Sequence, residues 1–410
     1  MSRSESAVPR EGQVSLGAAV RERFPALREA GDAIFFDNAA GAQVPDEVVD
    51  ALREHLVERN VQRGGRYERS EEVDRMIAGA RDALRGFLNA EVPEEIVFGL
   101  NATHLTRTVA RCMRDLLRRG DEVVVTQLDH EANVGPWLRL EEQGIRVRTW
   151  SVRNPGARLD VEDLRPLLDT GRVRLVALPL ASNATGSIVD VPRAARLARK
   201  AGALTFVDAV HYGPHGRVDV QELGADFLVF SGYKIFGPHM GFLWGRGSGL
   251  RELAPEREFF IPAEPPYGFE PGTQTYEGIA GMTGALSYLA SLDPEGGTMD
   301  RIRAYERTLS EALLRELAAI PGLSILGEGD PARSSERVPT VCFTMPRTEP
   351  SRVVEHLASR GIQARDGHMY APRLLDACGI DTAAGVVRVS LCHYNTLEEI
   401  GRLGEALRAL

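Results

Sequence analysis

Asp226-Phe227-Leu228-Val229-Phe230-Ser231-Gly232-Tyr233-Lys234-Ile235-Phe236-Gly237-Pro238 sets a lysine just after an apolar run and just before a glycine-proline turn. The run reads as a buried strand, and Lys234 then stands at a strand end, where α/β sheets collect their ligands. Lysine is scarce in this chain. Of 49 Lys+Arg residues only Lys200 and Lys234 are lysine, so arginine supplies almost every positive charge. A retained primary amine points to chemistry closed to a guanidinium, such as forming an imine with a carbonyl. Lys200, in Ala194-Ala195-Arg196-Leu197-Ala198-Arg199-Lys200, reads as an exposed helix end.

Outward from this stretch the pattern is an alternation of strands and helices. Ile96-Val97-Phe98 precedes a helix over Thr103 to Arg119, Glu122 to Thr126 precedes Ala132 to Gln143, and Arg174 to Leu178 precedes Pro192 to Ala201. Leu204 to Val207, Phe227 to Phe230 and Gly241 to Trp244 follow as strands. Continuous apolar strands between helices predict a mostly parallel sheet covered on both faces. Upstream, Ala33-Ile34-Phe35-Phe36 reads as a short strand, Pro45 as a helix start, and Ser70 as the N-cap of a helix running to about Asn89. Past Gly278 two long helices, to Leu292 and from Met299 to Ile320, lead into strands near 340–345, 362–365 and 386–391 alternating with helices. This predicts a smaller α+β C-terminal domain. The expected division is a tail over 1–30, a large domain over 31–293 and a small one over 294–410.

A net charge of −9 with scattered signs argues against a nucleic-acid surface. No apolar stretch approaches the eighteen or so residues of a membrane span, and the opening Met1 to Ala19 is polar, so a loose tail on a cytoplasmic protein is expected. Cys112, Cys342, Cys378 and Cys392 are widely spaced and form no CxxC pair, which reads as reduced thiols. No HxxxH or HExxH spacing supports a metal site, and neither GxGxxG after a strand nor GxxxxGK[ST] occurs.

The strand ends carry Asn101-Ala102-Thr103-His104, Asp129-His130-Glu131-Ala132-Asn133, Ser182-Asn183, Asp208-Ala209-Val210-His211 and Ser231-Gly232-Tyr233-Lys234. Together they describe a site for a flat, anionic, aldehyde-bearing heteroaromatic. Asp208 can hold a protonated ring nitrogen, and Thr103 at a helix start and Ser231 can hold a phosphate. His130 offers a stacking face, and His211 and Asn183 can bond a ring oxygen. Taken singly each residue is an ordinary cap or polar surface group. Their order and co-location make pyridoxal 5'-phosphate the better account.

The chain resembles the class V aminotransferase family of fold-type I pyridoxal-phosphate enzymes, and within it the cysteine desulfurases and selenocysteine lyases. The stretches that carry the resemblance are Phe36-Asp37-Asn38-Ala39-Ala40, Asp129 to Asn133, Val207 to His211, Ser231 to Lys234, Phe269-Glu270-Pro271-Gly272-Thr273 and Arg388-Val389-Ser390-Leu391. The resemblance implies a large domain with a mostly parallel seven-stranded sheet, a smaller α+β domain, and a homodimer with the active site shared across its interface. It implies that Lys234 binds the cofactor covalently, Asp208 pairs with the pyridine nitrogen and His130 stacks on the ring. Thr103 and Ser231 hold the phosphate, with Thr273 reaching it from the partner subunit. His211 and Asn183 lie near the phenolic oxygen, and Arg388, with Arg365, binds the substrate carboxylate.

Three departures bear on the reaction. Where desulfurases of this kind have Arg-x-Gly-His-His-Cys-Ala, this chain has Arg365-Asp366-Gly367-His368-Met369-Tyr370-Ala371, so Tyr370 takes the place of the thiol. A phenol cannot form a persulfide. Tyr233 replaces a histidine before the lysine, and Ala102 replaces a threonine, leaving one fewer phosphate donor. Cys378, eight residues past Tyr370, reads as a core residue. The expected activity is therefore a lyase acting on an α-amino acid through a stabilised carbanion, with Tyr370 as an acid or a pocket wall. Transamination or epimerisation, and a catalytically silent scaffold, are the alternatives.

Overall fold

The computed structural model describes residues 14–410. Its centre is a seven-stranded sheet in the order β2-β8-β7-β6-β5-β3-β4. These strands are β2 Ile96–Gly99, β3 Glu122–Thr126, β4 Arg146–Trp150, β5 Val173–Pro179, β6 Leu204–Asp208, β7 Phe227–Ser231 and β8 Gly241–Gly245. Neighbours from β4 to β7 pair in parallel, and β8 alone runs against them. The apolar runs of β3, β7 and β8 are buried at every position, as strands covered on both faces must be.

A second sheet, β12-β13-β10-β9, is antiparallel and built from β9 Ser324–Leu326, β10 Thr340–Thr344, β12 Arg365–Gly367 and β13 Val386–Ser390. β1 Ile34–Phe35 pairs in parallel with β11 Ile362–Gln363. The strand nearest the N-terminus thus packs with the C-terminal segment, and Ile34 and Phe36 share a core cluster with Val341, Val387 and Leu403. This joint lays Asp37 against the end of β13, where it bridges to Ser390.

Four local expectations are corrected. The tail expected over 1–30 falls partly on residues 1–13, outside the described residues. From residue 14 it is packed: Val14 N donates to Leu292 O, and the buried Phe24 meets Tyr288 and Tyr394 edge-on at 5.2 and 4.8 Å. Ser70 does not cap its helix, which spans Glu68–Leu88. Its buried hydroxyl instead donates to Gln62 O and accepts from Gly65 N, pinning the preceding turn. The helix expected over 132–143 is broken into Glu131–Asn133, Gly135–Leu138 and Arg139–Gln143, because Gly135-Pro136 interrupts it. Cys378 is the half-buried cap residue ending Pro372–Ala377, packed against the edge of the core rather than within it, with Sγ 3.5 Å from Asn154 Oδ1.

The helix Ala102–Leu116 begins where β2 ends, and the Asn101 side chain accepts from His104 N at 2.8 Å to cap it. Gly241 on β8 makes room for that turn. A Cβ there would lie 2.5 Å from Asn101 C and 2.8 Å from Ala102 N.

Candidate active site

The carboxyl ends of β3, β5, β6 and β7 and the start of the helix Ala102–Leu116 converge on a pocket of about 390 Å³. Ala102, Thr103, His130, Asn183, Asp208, His211, Ser231, Tyr233, Lys234, Arg365, Tyr370 and Arg388 all line it. Of the residues to which the resemblance gives a cofactor or substrate role, Thr273 alone lies elsewhere among the described residues, in a small cleft with Phe98, Leu100 and His104. The segment leading to Thr273 is anchored by a buried pair in which Arg81 donates to both Glu270 oxygens at 2.8 and 3.0 Å.

Lys234 follows the last residue of β7 by one short turn and is 8% exposed, with Nζ donating to Ala39 O. Burial, aided by the Arg388 cation and opposed by Asp37 and Asp208, brings its pKa down to about 7. A substantial share of the amine is then neutral and nucleophilic near pH 7. Asp208 ends β6 with Oδ1 accepting from Val210 N at 2.9 Å. Burial pushes its carboxyl up to about 6 against that hydrogen bond and the pull of Lys234. A cation seated against it would restore its charge.

His130 is held by its own turn. Asp129, buried, accepts from Thr126 Oγ1 at 2.6 Å and Asn133 Nδ2 at 2.9 Å, and Ala132 N donates to His130 Nδ1 at 3.0 Å. With Nδ1 an acceptor, the neutral ring carries its proton on Nε2. Burial, then Lys234, lowers its pKa to about 4, so it presents an uncharged flat face. His211 is likewise driven well down by burial and meets Thr340 Oγ1 at 3.1 Å. Behind it His215 Nδ1 lies 2.7 Å from Glu306 Oε2, with Cys392 close by. His215 and Glu306 thus satisfy one another in part.

On the opposite wall, Asp37 lies between two guanidinium groups. Arg365 Nη2 donates to its Oδ2 at 2.7 Å, and Arg388 Nη2 donates to its Oδ1 at 3.4 Å. Two cations and one anion leave a net +1 facing the pocket, suited to a single carboxylate. Asp37 was legible only as part of a motif; its role appears once the segment following β1 docks beside the end of β13.

Tyr370 sits 59% exposed over the pocket mouth, its ring 5.3 Å from His130. Met369 and Tyr370 have φ of 52° and 55°, a conformation that costs a non-glycine residue about 1 kcal/mol or more. Asn183 Nδ2 donating to Met369 O at 2.6 Å and Glu131 N donating to Tyr370 O at 2.8 Å hold the strained turn. Among the described residues, Asn183 Oδ1 and Arg388 Nε are buried without a hydrogen-bond partner. A ligand supplying polar groups there would satisfy them.

The low pKa of Lys234 predicts the pH dependence of cofactor capture. Adding pyridoxal phosphate to cofactor-free protein from about pH 5 to about pH 9 should give covalent capture that rises to a plateau with a midpoint near 7, since only the neutral amine attacks. Stopped-flow absorbance checks this, and a midpoint near that of free lysine would contradict it.

The family described as Aminotransferase class-V matches residues 34–403. The chain is 36% identical over 399 residues to the aminotransferase-like protein FGM3 of Gibberella zeae, covering 95% of this chain and 96% of that one. It is 33% identical over 415 residues to a probable cysteine desulfurase of Streptomyces coelicolor, covering 95% and 96%. Among solved structures it superposes on the Escherichia coli cysteine desulfurase CsdA, in its S-sulfonic acid form, with TM-score 0.84, 30% identity and coverage of 95% and 96%. The apo cysteine desulfurase of Thermococcus onnurineus NA1 gives 0.87 at 27% identity, covering 98% of each chain.

Proposed function

This chain belongs to the class V aminotransferase family, whose members are pyridoxal-phosphate enzymes of fold-type I, and from that premise we propose that it is a lyase acting on an α-amino acid without forming a persulfide. The observation that carries the reading is the chemistry of the pocket mouth. Tyr370 stands over it, and none of the four cysteines lines it. Cys392 is 1% exposed with its thiol pushed far above the usual range by burial, and Cys378 turns to Asn154. A thiol that cannot become a thiolate near the substrate cannot accept its sulfur.

The lining fits the cofactor in its donor set, and of the two buried atoms without a partner among the described residues, Asn183 Oδ1 is open to a polar group of the cofactor and Arg388 Nε to the substrate carboxylate. Lys234 would bind it, Thr103, Ser231 and the first N–H groups of the helix Ala102–Leu116 would hold its phosphate, and Asp208 would meet its ring nitrogen. When bound, the cofactor supplies an electron sink for a carbanion at the substrate Cα. Arg388, steadied by Asp37 and flanked by Arg365, fixes the substrate carboxylate. His130 closes one face as a neutral ring and excludes water there. Lys234, with a pKa near neutrality, can take a proton from the substrate and return it, a role worth roughly 10²–10⁴ in rate. Tyr370, which lines the pocket, would protonate a leaving group or wall the entrance.

A panel of β-substituted amino acids incubated with holoprotein, with products identified by mass, tests the reading. A lyase releases the substituent with no acceptor added. Amino-group transfer is the competing reading, favoured by the FGM3 relative's name. Stoichiometric conversion of added 2-oxo acid to amino acid would decide for it, and sulfide with alanine from cysteine would restore desulfuration.

A further inference from the structure

His211 lines the pocket from the turn after β6, yet one of its ring nitrogens is engaged by the second sheet. Its Nε2 lies 3.1 Å from Oγ1 of Thr340, the first residue of β10. The ring also packs edge-on against His215, centroid to centroid at 5.5 Å, and His215 is itself tied to Glu306 on the helix Thr298–Ala318. Thr340 is held as firmly. Fully buried, it donates its N–H to Val338 O at 2.7 Å, and its carbonyl accepts from Arg337 Nη2 at 2.5 Å, the same nitrogen that reaches Thr185 O at 2.7 Å.

Hydrogen-bond accounting decides the direction of the contact. Among the described residues the Thr340 hydroxyl has no acceptor but His211 Nε2. A donor sealed in the interior with nothing to bond is costly, so the hydroxyl gives its proton to Nε2 rather than accepting one. Burial keeps the His211 ring neutral with a single N–H, and that proton is then left on Nδ1. Nδ1 has no partner among the described residues and is not sealed off as the Nδ1 atoms of His55, His104 and His393 are. On a ring that is 5% exposed and lines the pocket, it opens on the pocket. His130 is protonated in the reverse sense, since its Nδ1 accepts from Ala132 N.

We propose that Thr340 is a positioning residue for the cofactor: by donating to His211 Nε2 it fixes the ring as an Nδ1–H donor for the ring oxygen of bound pyridoxal phosphate. That oxygen is phenolic and carries negative charge once its proton is lost. It takes a donor and would be repelled by the bare lone pair that the other tautomer presents. The device needs the cofactor, and it serves a lyase and an aminotransferase alike.

Two measurements test this. In cofactor-free protein carrying nitrogen-15 histidine, long-range proton–nitrogen correlation spectra read the tautomer of each neutral ring, and the His211 signals are those lost in His211→Ala. His211 should be protonated on Nδ1. Protonation on Nε2 overturns the proposal, and this readout needs no change at Thr340. Cofactor-free parent, Thr340→Val, Thr340→Ser, His211→Ala and the double variant H211A/T340V are then titrated with pyridoxal phosphate. T340V keeps the shape and loses the hydroxyl. A hydrogen bond to a charged oxygen is worth about a factor of ten or more, so T340V should bind the cofactor roughly tenfold more weakly and displace its visible absorbance maximum. T340S, which keeps the hydroxyl, should match the parent. In the His211→Ala background T340V should cost nothing further, because Thr340 acts through that ring. Unweakened binding in T340V, an equal loss in T340S, or a T340V loss that persists without His211 each overturns the proposal. Any of these in a parent that still captures the cofactor leaves the lyase reading standing, whereas a parent that captures none removes both.

Discussion

Lys234→Ala is expected to abolish covalent cofactor attachment and to lower turnover by about 10⁴-fold or more, since it removes both the imine-forming amine and the proton carrier. Borohydride reduction followed by peptide mass analysis should find a pyridoxyl adduct on the Lys234 peptide in the parent protein and none in the variant. Lys234→Arg should fail as completely. A guanidinium keeps the positive charge but forms no imine, and its pKa is far too high to exchange protons near neutrality. The loss will not be one of folding. The amine contributes one hydrogen bond, to Ala39 O, and its burial already disfavours the charged form. Losing it should move the melting temperature by only a few degrees, about 1 kcal/mol of stability. Full turnover in Lys234→Ala would remove the basis for the proposed site.

The contrast between what Lys234 and Tyr370 revealed in the sequence has a physical cause. Strands β5 to β8 announce themselves because a strand covered on both faces must be apolar along its length, and once they are placed the residues at their carboxyl ends fall on one edge. Lys234, Asp208, Ser231 and Asn183 were therefore legible. β4 was missed because it is an edge strand, and Arg146-Val147-Arg148-Thr149-Trp150 alternates charge with apolar character over too short a span to stand out. The left-handed turn at Met369-Tyr370 was not legible at all. Neither residue prefers positive φ; the constraint comes from Asn183 and Glu131, each more than 180 residues away in the chain. The same holds for Asp37, whose two arginines come from β12 and β13 at the other end of the sequence. Long-range pairing decides such positions, and no local pattern encodes it.

That pairing also makes Arg388 separable from folding. In Arg388→Gln the Asp37 carboxylate keeps Arg365 at 2.7 Å, so no buried charge is stranded and the fold should survive. The pocket wall falls from two cations and one anion to a neutral pair, and an anionic substrate loses its counter-charge. Charged hydrogen bonds to a carboxylate contribute about 1.5–3 kcal/mol each, so a loss of roughly 2–4 kcal/mol is expected, or about 30- to 700-fold in kcat/KM. Most of it should appear as a raised KM, because the carboxylate carries its charge in both ground and transition states. A second readout separates this from a general disturbance of the site. The Arg388 cation is one cause of the lowered Lys234 pKa, so its removal should move the midpoint of cofactor capture to higher pH. An unchanged KM with an unchanged midpoint would show that Arg388 neither binds the substrate carboxylate nor acts on the amine.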